Sequence, residues 1–343
     1  MEKNHKYKNI KFKPFTKMDH FKNLFLNVNP SIYKIYIFGS RRSGKSSIFR
    51  FMFDDYSLTI PGGLEHNPDN VYISILNNHW FKDIQVYDFP VKFDIKEDRF
   101  KSYLPEFFDK VLAIIFVIDA QDAVQNSLHQ FNKFFEIVNR QNSHIYYVIF
   151  AHKSDGLNDT QKLDVLRCIN ANESKYSDNV TQFLTTLYDI SVREAFSLLI
   201  QRILKIVPEI ESILNFFVSY SFLKSVYLCD INSKIFFSFY SNTLSNVDQM
   251  SYDMSCKVIT LLKNTSEGYN KERVKNDISV SVLMGEERIF CKTMNSSLCC
   301  VIKHTDDGAN EPIIEYNLNI IFKALQQLIH KYKSENIVMY KTF

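Results

Sequence analysis

Ten residues, FGSRRSGKSS from Phe38 to Ser47, restrict this 343-residue chain more than any other stretch. They fit GxxxxGK(S/T), with Gly39, Gly44, Lys45 and Ser46 in the fixed places. Such a loop works only between a strand and a helix. Its glycines permit unusual backbone angles and close approach, so consecutive N–H groups point at phosphate oxygens. The binding set is Gly39, Ser40, Arg41, Arg42, Ser43, Gly44, Lys45, Ser46 and Ser47. Lys45 reaches the β- and γ-phosphates, and the Ser46 hydroxyl is the magnesium ligand. The helix opening at Gly44 adds its positive end. The apolar run IYKIYIFG before the loop and GKSSIFRFMF after it supply the required context. Arg41 and Arg42 either touch phosphate or face solvent.

The chain around the loop alternates between strand and helix patterns. VYISIL (71–76) and IQVYDF (84–89) read as a hairpin, being rich in β-branched and aromatic residues. VLAIIFVIDA (111–120) is a continuous apolar run, as expected of a strand buried on both faces. Val124, Leu128, Phe131, Phe135 and Val138 share one helix face. IYYVIFAHKSD (145–155) is a strand running into a loop, followed by a helix near 159–171, a strand FLTTLYD (183–189) and a helix near 193–206. The alternation predicts an α/β domain with a mostly parallel sheet.

Pro208 marks a break, because proline suits the first turn of a new helix. Beyond it come two strands (SVYLCD, KIFFSFY), a helix at about 249–263 with Tyr252, Cys256, Ile259 and Leu262 as a stripe for a partner helix or for its own sheet, a polar stretch KNTSEGYNKERVKN that reads as a loop, three strands (SVSVLM, RIFCKT, SLCCVIK) and a last helix with Leu318, Ile321, Leu325 and Leu328 on one face. This half reads as antiparallel α+β. The expected division is a basic tail over 1–30, a nucleotide domain over 31–206 and a second domain over 207–343.

With 45% hydrophobic and 23% charged residues the chain has the makeup of a soluble globular protein. Its net charge of +3 is too small to argue for a nucleic-acid partner. The first thirty residues carry seven lysines against Glu2 and Asp19, which fits a solvated tail or a contact to an acidic surface. The six cysteines (168, 229, 256, 291, 299, 300) show no metal-type spacing and read as thiols of a reducing compartment. No signal peptide, membrane-length apolar run or lipidation motif is visible, so the expected location is cytoplasmic.

The sequence AHKSDG at the end of a buried strand points to the base. Guanine-binding proteins place (N/T)KxD there, and its aspartate accepts from the guanine N1–H and 2-amino groups. Adenine offers no such donor pair and leaves the aspartate unpaired. Asp155 and Lys153 fit these roles, and His152 stands in the asparagine place. The other readings are that His152 fills space and that HKSD is an ordinary polar turn. Thr186, within TTLYD (Thr185 to Asp189), sits where a last loop braces the base.

FGSRRSGKSSI, VYDFP, FVIDAQD, HKSDGL and LTTLYDISVREAFSLLI together resemble the Rag GTPases, specifically their C/D branch. The resemblance covers about residues 31 to 335. It implies GTP/GDP and Mg2+ as cofactors, with Ser46 and Asp88 as metal-side residues. It also implies a Ras-like GTPase domain followed by a roadblock-type dimerisation domain. The implied partners are an A/B-branch Rag GTPase in a heterodimer, a lysosomal or vacuolar scaffold complex that recruits the pair to that membrane, and the TOR kinase complex, to which amino-acid sufficiency is reported. In that branch the GDP form signals.

The sequence departs from the family pattern where γ-phosphate is sensed. After Asp88 the pattern DxxG followed by glutamine becomes DFPVK, with Val91 for glycine and Lys92 for glutamine. A β-branched residue resists the glycine's backbone flip, and lysine has donors only, so it cannot orient water as glutamine does. LEHNPDN (64–70) lacks the switch threonine, leaving Asn67 as the nearest candidate. The selective alteration predicts GDP retention with a weakened response to GTP, unless Thr59 or a backbone group substitutes. Two alternatives stand beside slow Mg-dependent GTP hydrolysis: a GDP-locked pseudo-GTPase acting as scaffold, and, disfavoured by Asp155, an ATP-dependent enzyme.

Overall fold

The computed structural model describes residues 32–53, 71–76, 84–91, 103–122, 124–171, 176, 179–241, 249–268, 278–305 and 311–334. The basic tail, the 64–70 segment, Thr59 and Lys92 lie outside them. The contacts divide the chain into two compact units, the first reaching Val192 and the second starting at Arg193.

In the first unit, β1 (Tyr33–Gly39) leads into α1 (Lys45–Phe53). Then come β2 (Tyr72–Leu76), β3 (Ile84–Asp88), the short α2 (Leu104–Phe107), β4 (Val111–Asp119) and α3 (Val124–Gln141). β5 (Tyr146–His152), a 3-10 turn (Ser154–Gly156), α4 (Asp159–Asn170) and β6 (Val180–Thr185) complete the sheet. The strand order is β2-β3-β1-β4-β5-β6. The β2–β3 pair is antiparallel, as the hairpin reading expects, and the other pairings are parallel.

β4 is buried from Val111 to Ile118 and β5 throughout, because each lies between two parallel neighbours in a covered sheet. The predicted face of α3 packs inward through Leu128, Phe131, Phe135 and Val138, joined by Phe134. An aromatic cluster forms beneath it. Phe38 stacks on Phe89 with centroids 4.7 Å apart, Tyr36 lies edge-on to Phe89 at 5.0 Å, and the Tyr36 hydroxyl donates to the Phe107 carbonyl at 2.7 Å. β6 ends at Thr185, so 186–189, read as strand from sequence, is the loop that the site needs.

In the second unit α5 (Ser191–Ile203) precedes α6 (Val207–Tyr220), which carries Pro208 in its first turn as expected. β7 (Ser225–Asp230), β8 (Phe236–Ser241), α7 (Gln249–Gly268), β9 (Ser279–Met284), β10 (Glu287–Thr293), β11 (Leu298–Thr305) and α8 (Glu311–Ser334) follow. The sheet runs β8-β7-β11-β10-β9, and its pairings are antiparallel. The order helix–two strands–helix–three strands–helix is that of a roadblock-type domain.

From Arg193 onward α5 is bonded into this unit. The Ser197 hydroxyl accepts from the Phe236 N–H at 2.9 Å, and the Gln201 amide donates to the Phe236 carbonyl at 3.0 Å. On α7 the stripe Tyr252, Cys256, Ile259 and Leu262, whose spacing suits either a partner helix or the domain's own sheet, is buried, which fits the second of these. Its apolar face covers the domain's own sheet, because an isolated antiparallel sheet has that surface to bury.

Candidate nucleotide site

β1 delivers Gly39 to the edge of the loop. A Cβ there would lie 2.4 Å from the Val117 carbonyl oxygen of β4, so only glycine lets the strands approach this closely. Ser40 N–H donates to the same carbonyl at 3.3 Å, and Ser43 N–H to the Ser40 carbonyl. Arg42 (φ 63°) and Gly44 (φ 91°) adopt left-handed backbone, which curls the loop around its own N–H groups. The Gly44 carbonyl then accepts from Ile48 N–H at 2.9 Å and starts α1. Arg41, Arg42 and Ser47 are exposed, whereas Ser43 and Lys45 are buried.

Lys45 Nζ lies 3.8 Å from the Asp88 carboxylate and 3.4 Å from the Ser46 hydroxyl. Burial pushes the Asp88 carboxyl up to about 6, against the opposing pull of Lys45 and Ser46. A carboxyl so enclosed keeps its charge best with a cation beside it. The Ser46 hydroxyl and Asp88 carboxylate are hard oxygen donors of the kind magnesium takes, and one or two such protein ligands plus phosphate oxygens suffice for it.

The base loop leaves β5 next to the phosphate loop. His152 is buried, its Nδ1 lies 3.1 Å from the Thr185 hydroxyl, and burial lowers its pKa to about 4, so the imidazole is neutral at physiological pH. Its ring edge lies over Gly44, where a Cβ would come within 2.5 Å of Cδ2. Lys153 adopts φ 66°, and its ammonium pairs with Asp119 at the end of β4. Asp155 Oδ1 accepts from the Thr186 hydroxyl at 2.6 Å. Thr186 is itself fixed by its N–H to the Ser191 hydroxyl at 2.9 Å.

The structure therefore brings together the phosphate-loop residues, Asp88, His152, Lys153, Asp155 and Thr186. Asp119, Gln121 and Thr185 were not singled out by sequence as site residues. The signal for Asp119 and Gln121 was the position of IDAQD at the end of a buried strand beside the base loop, and that for Thr185 its place at the head of TTLYD. Beyond Asp88, Phe89 is sunk in the aromatic cluster with its N–H on the Ile37 carbonyl, and the chain emerges at Val91, which is 44% exposed.

A phosphate loop on β1 and a lysine–aspartate base loop on β5 of a parallel sheet define a P-loop nucleotide-binding domain of the G-protein class. The conserved region of the Gtr1/RagA G protein family matches residues 34–259, and the chain belongs to that family, in its Rag C/D branch. It is 30% identical over 318 residues to the GTP-binding protein gtr2 of Schizosaccharomyces pombe, covering 86% of this chain and 97% of that one. It is 28% identical over 311 residues to the Ras-related GTP-binding protein C of Mus musculus, covering 86% and 76%. With the GTP-binding protein GTR2 of Saccharomyces cerevisiae it shares 26% over 332 residues, covering 88% and 94%.

Proposed function

We propose that the chain is the C/D-branch half of a Rag heterodimer, holding GTP or GDP with magnesium at the site above and reporting amino-acid availability to the TOR kinase complex. An A/B-branch Rag is its partner, and a lysosomal or vacuolar scaffold complex recruits the pair. No described helix is long and apolar enough to cross a membrane. Bound magnesium supplies charge neutralisation between the phosphates. Lys45 binds the β- and γ-phosphates, Ser46 and Asp88 orient the metal side, and Asp155 with Lys153 selects guanine. Hydrolysis is slow because no glutamine follows the DxxG-type segment.

The observation that carries the reading is the joining of the two loops through His152, whose ring lies against Gly44 and bonds Thr185. On this reading the nucleotide domain runs to about Val192 and the dimerisation domain from Arg193, so α5 lies on the dimerisation side of a boundary that the sequence puts at 206/207. The second unit presents partner-ready surface in the edge strand β9 with Leu283 exposed, and in Phe216, Tyr220, Ile313 and Tyr316 on α6 and α8.

Val91 favours a second reading, a GDP-locked scaffold. A β-branched residue in the glycine place does not readily turn its N–H toward a γ-phosphate. Single-turnover hydrolysis of bound GTP, with and without the A/B-branch partner, separates the two. Measurable turnover that the partner or its complex accelerates supports the GTPase reading. No turnover, with GDP as the nucleotide recovered from the purified protein, supports the scaffold.

A further inference from the structure

The loop after β4 forms a bracket around the base loop. Ala120 N–H donates to the His152 carbonyl at 2.8 Å. Gln121 N–H donates to Asp119 Oδ1 at 3.0 Å, and the other Asp119 oxygen pairs with the Lys153 ammonium. The Gln121 side chain then crosses over, and its amide nitrogen donates to the Lys153 carbonyl at 2.7 Å. Three successive residues thus hold the two residues that precede Ser154 and Asp155.

That hold has something to oppose. Lys153 is in left-handed backbone at φ 66°, a conformation disfavoured for a residue with a Cβ. The peptide it leads into starts the 3-10 turn Ser154–Gly156, and the orientation of that turn sets where the Asp155 carboxylate points. Gly156 completes the arrangement. A Cβ there would lie 2.2 Å from the Gln121 amide nitrogen, so the absence of a side chain is what lets the Gln121 amide lie across the loop.

We propose that Gln121 is a positioning residue for base recognition: its carboxamide fixes the left-handed Lys153 peptide and thereby aims Asp155 at the base. This rests on the reading of HKSD as the guanine loop. Gln121 bonds Lys153 through its side chain and Asp119 through its N–H. It acts through the Lys153 carbonyl, with Asp119 holding the other end of the same residue.

The test compares GDP with IDP, which lacks the 2-amino group, as competitors for labelled GDP on the full-length protein. The ratio of their affinities reads how well Asp155 is aligned with that amino group. A hydrogen bond to a charged group contributes roughly tenfold or more in affinity, so wild type should prefer GDP by about that factor. Gln121→Met keeps the bulk over Gly156 and removes the donor, and should bring the ratio close to unity. Gly156→Ala pushes the amide aside from the opposite direction and should have the same effect. A general loss of stability would weaken both ligands together and leave the ratio unchanged. Wild-type discrimination that persists in both variants overturns the role of Gln121 while sparing the guanine-loop reading. Equal affinity of wild type for GDP and IDP overturns the guanine-loop reading itself.

Discussion

The imidazole of His152 lies directly over Gly44: a Cβ on Gly44 would stand 2.5 Å from His152 Cδ2 and 3.0 Å from Nε2. The phosphate loop and the base loop therefore meet through one side chain and one missing side chain. Gly44→Ala should fail on two counts, the clash and the φ of 91°. A left-handed conformation costs an ordinary residue about 1–2 kcal/mol, and displacement of the buried ring adds to it. The expected result is loss of labelled-GDP binding and a melting temperature lower by roughly 4–8 °C. Removing the ring with His152→Gly in that background should recover only part of the loss, since the backbone strain remains. Full recovery would show that the strain is negligible.

The same burial makes His152 a source of acid sensitivity. Its folded pKa of about 4 lies below the unfolded value of 6.5, so the unfolded chain binds the proton more readily. The neutral ring's contribution is complete above pH 6.5 and is lost as pH falls toward 4. Over that window the difference approaches about 3 kcal/mol. Denaturant unfolding of wild type and His152→Asn between pH 7 and 4 should give curves that converge as pH falls. A difference that is constant with pH would contradict the assignment.

Asp155→Asn should shift preference from guanine to xanthine nucleotides. Xanthine presents a carbonyl where guanine has its amino group, and an amide can donate to it. Thr186 bonds Asp155 through a hydroxyl that also accepts, so the neighbouring loop should tolerate the amide. Competition of GDP against XDP on wild type and mutant measures the exchange, and retained guanine selectivity would rule out the loop as the base reader.

Val91 is exposed, and Phe89 two residues before it is buried in the aromatic cluster. Movement of this segment toward a γ-phosphate therefore has to begin at or beyond Pro90. Val91→Gly with Lys92→Gln should slow GTP release severalfold and leave GDP release nearly unchanged. Stopped-flow dissociation of labelled nucleotides reads both rates. A wild type that already holds GTP more tightly than GDP would count against weakened γ-phosphate sensing.

Ser197 and Gln201 bond the two backbone groups of Phe236 from α5, and Phe196, Leu199, Ile200 and Ile203 of that helix are buried. A fragment beginning at residue 193 should therefore be more stable than one beginning at 207, by several kcal/mol for the buried side chains it keeps. Both should pair with the matching fragment of an A/B-branch chain if the dimerisation reading holds. Thermal melting and size exclusion of the two fragments provide the comparison, and equal melting temperatures would refute the role of α5.

Local patterns were the readable part of this molecule. GxxxxGKS between an apolar run and a helix needs only neighbouring residues, and HKSD at the end of β5 needs only a strand to hold it. The alternation of β4, α3 and β5 followed from apolar spacing for the same reason. What was not legible depends on partners far apart in the chain. Asp119 meets Lys153 34 residues on, and Gln121 reaches the Lys153 carbonyl 32 residues away. The stripe on α7 was correctly amphipathic, but periodicity names a face and not what covers it. The allegiance of α5 was hidden similarly, because Pro208 marks a chain break and the contacts of Ser197 and Gln201 cross it.

Five of the six thiols, those of Cys229, Cys256, Cys291, Cys299 and Cys300, are buried, and Cys168 on α4 is partly exposed. Burial raises the pKa of Cys229 to about 12 and of Cys256 to about 11, which withholds the thiolate that alkylating reagents attack. The native protein is consequently its own labelling chemistry. A maleimide dye should attach at Cys168 alone without mutagenesis, on the helix that follows the base loop. The remaining five thiols become an internal unfolding counter, read out by mass spectrometry as added labels when the second unit opens.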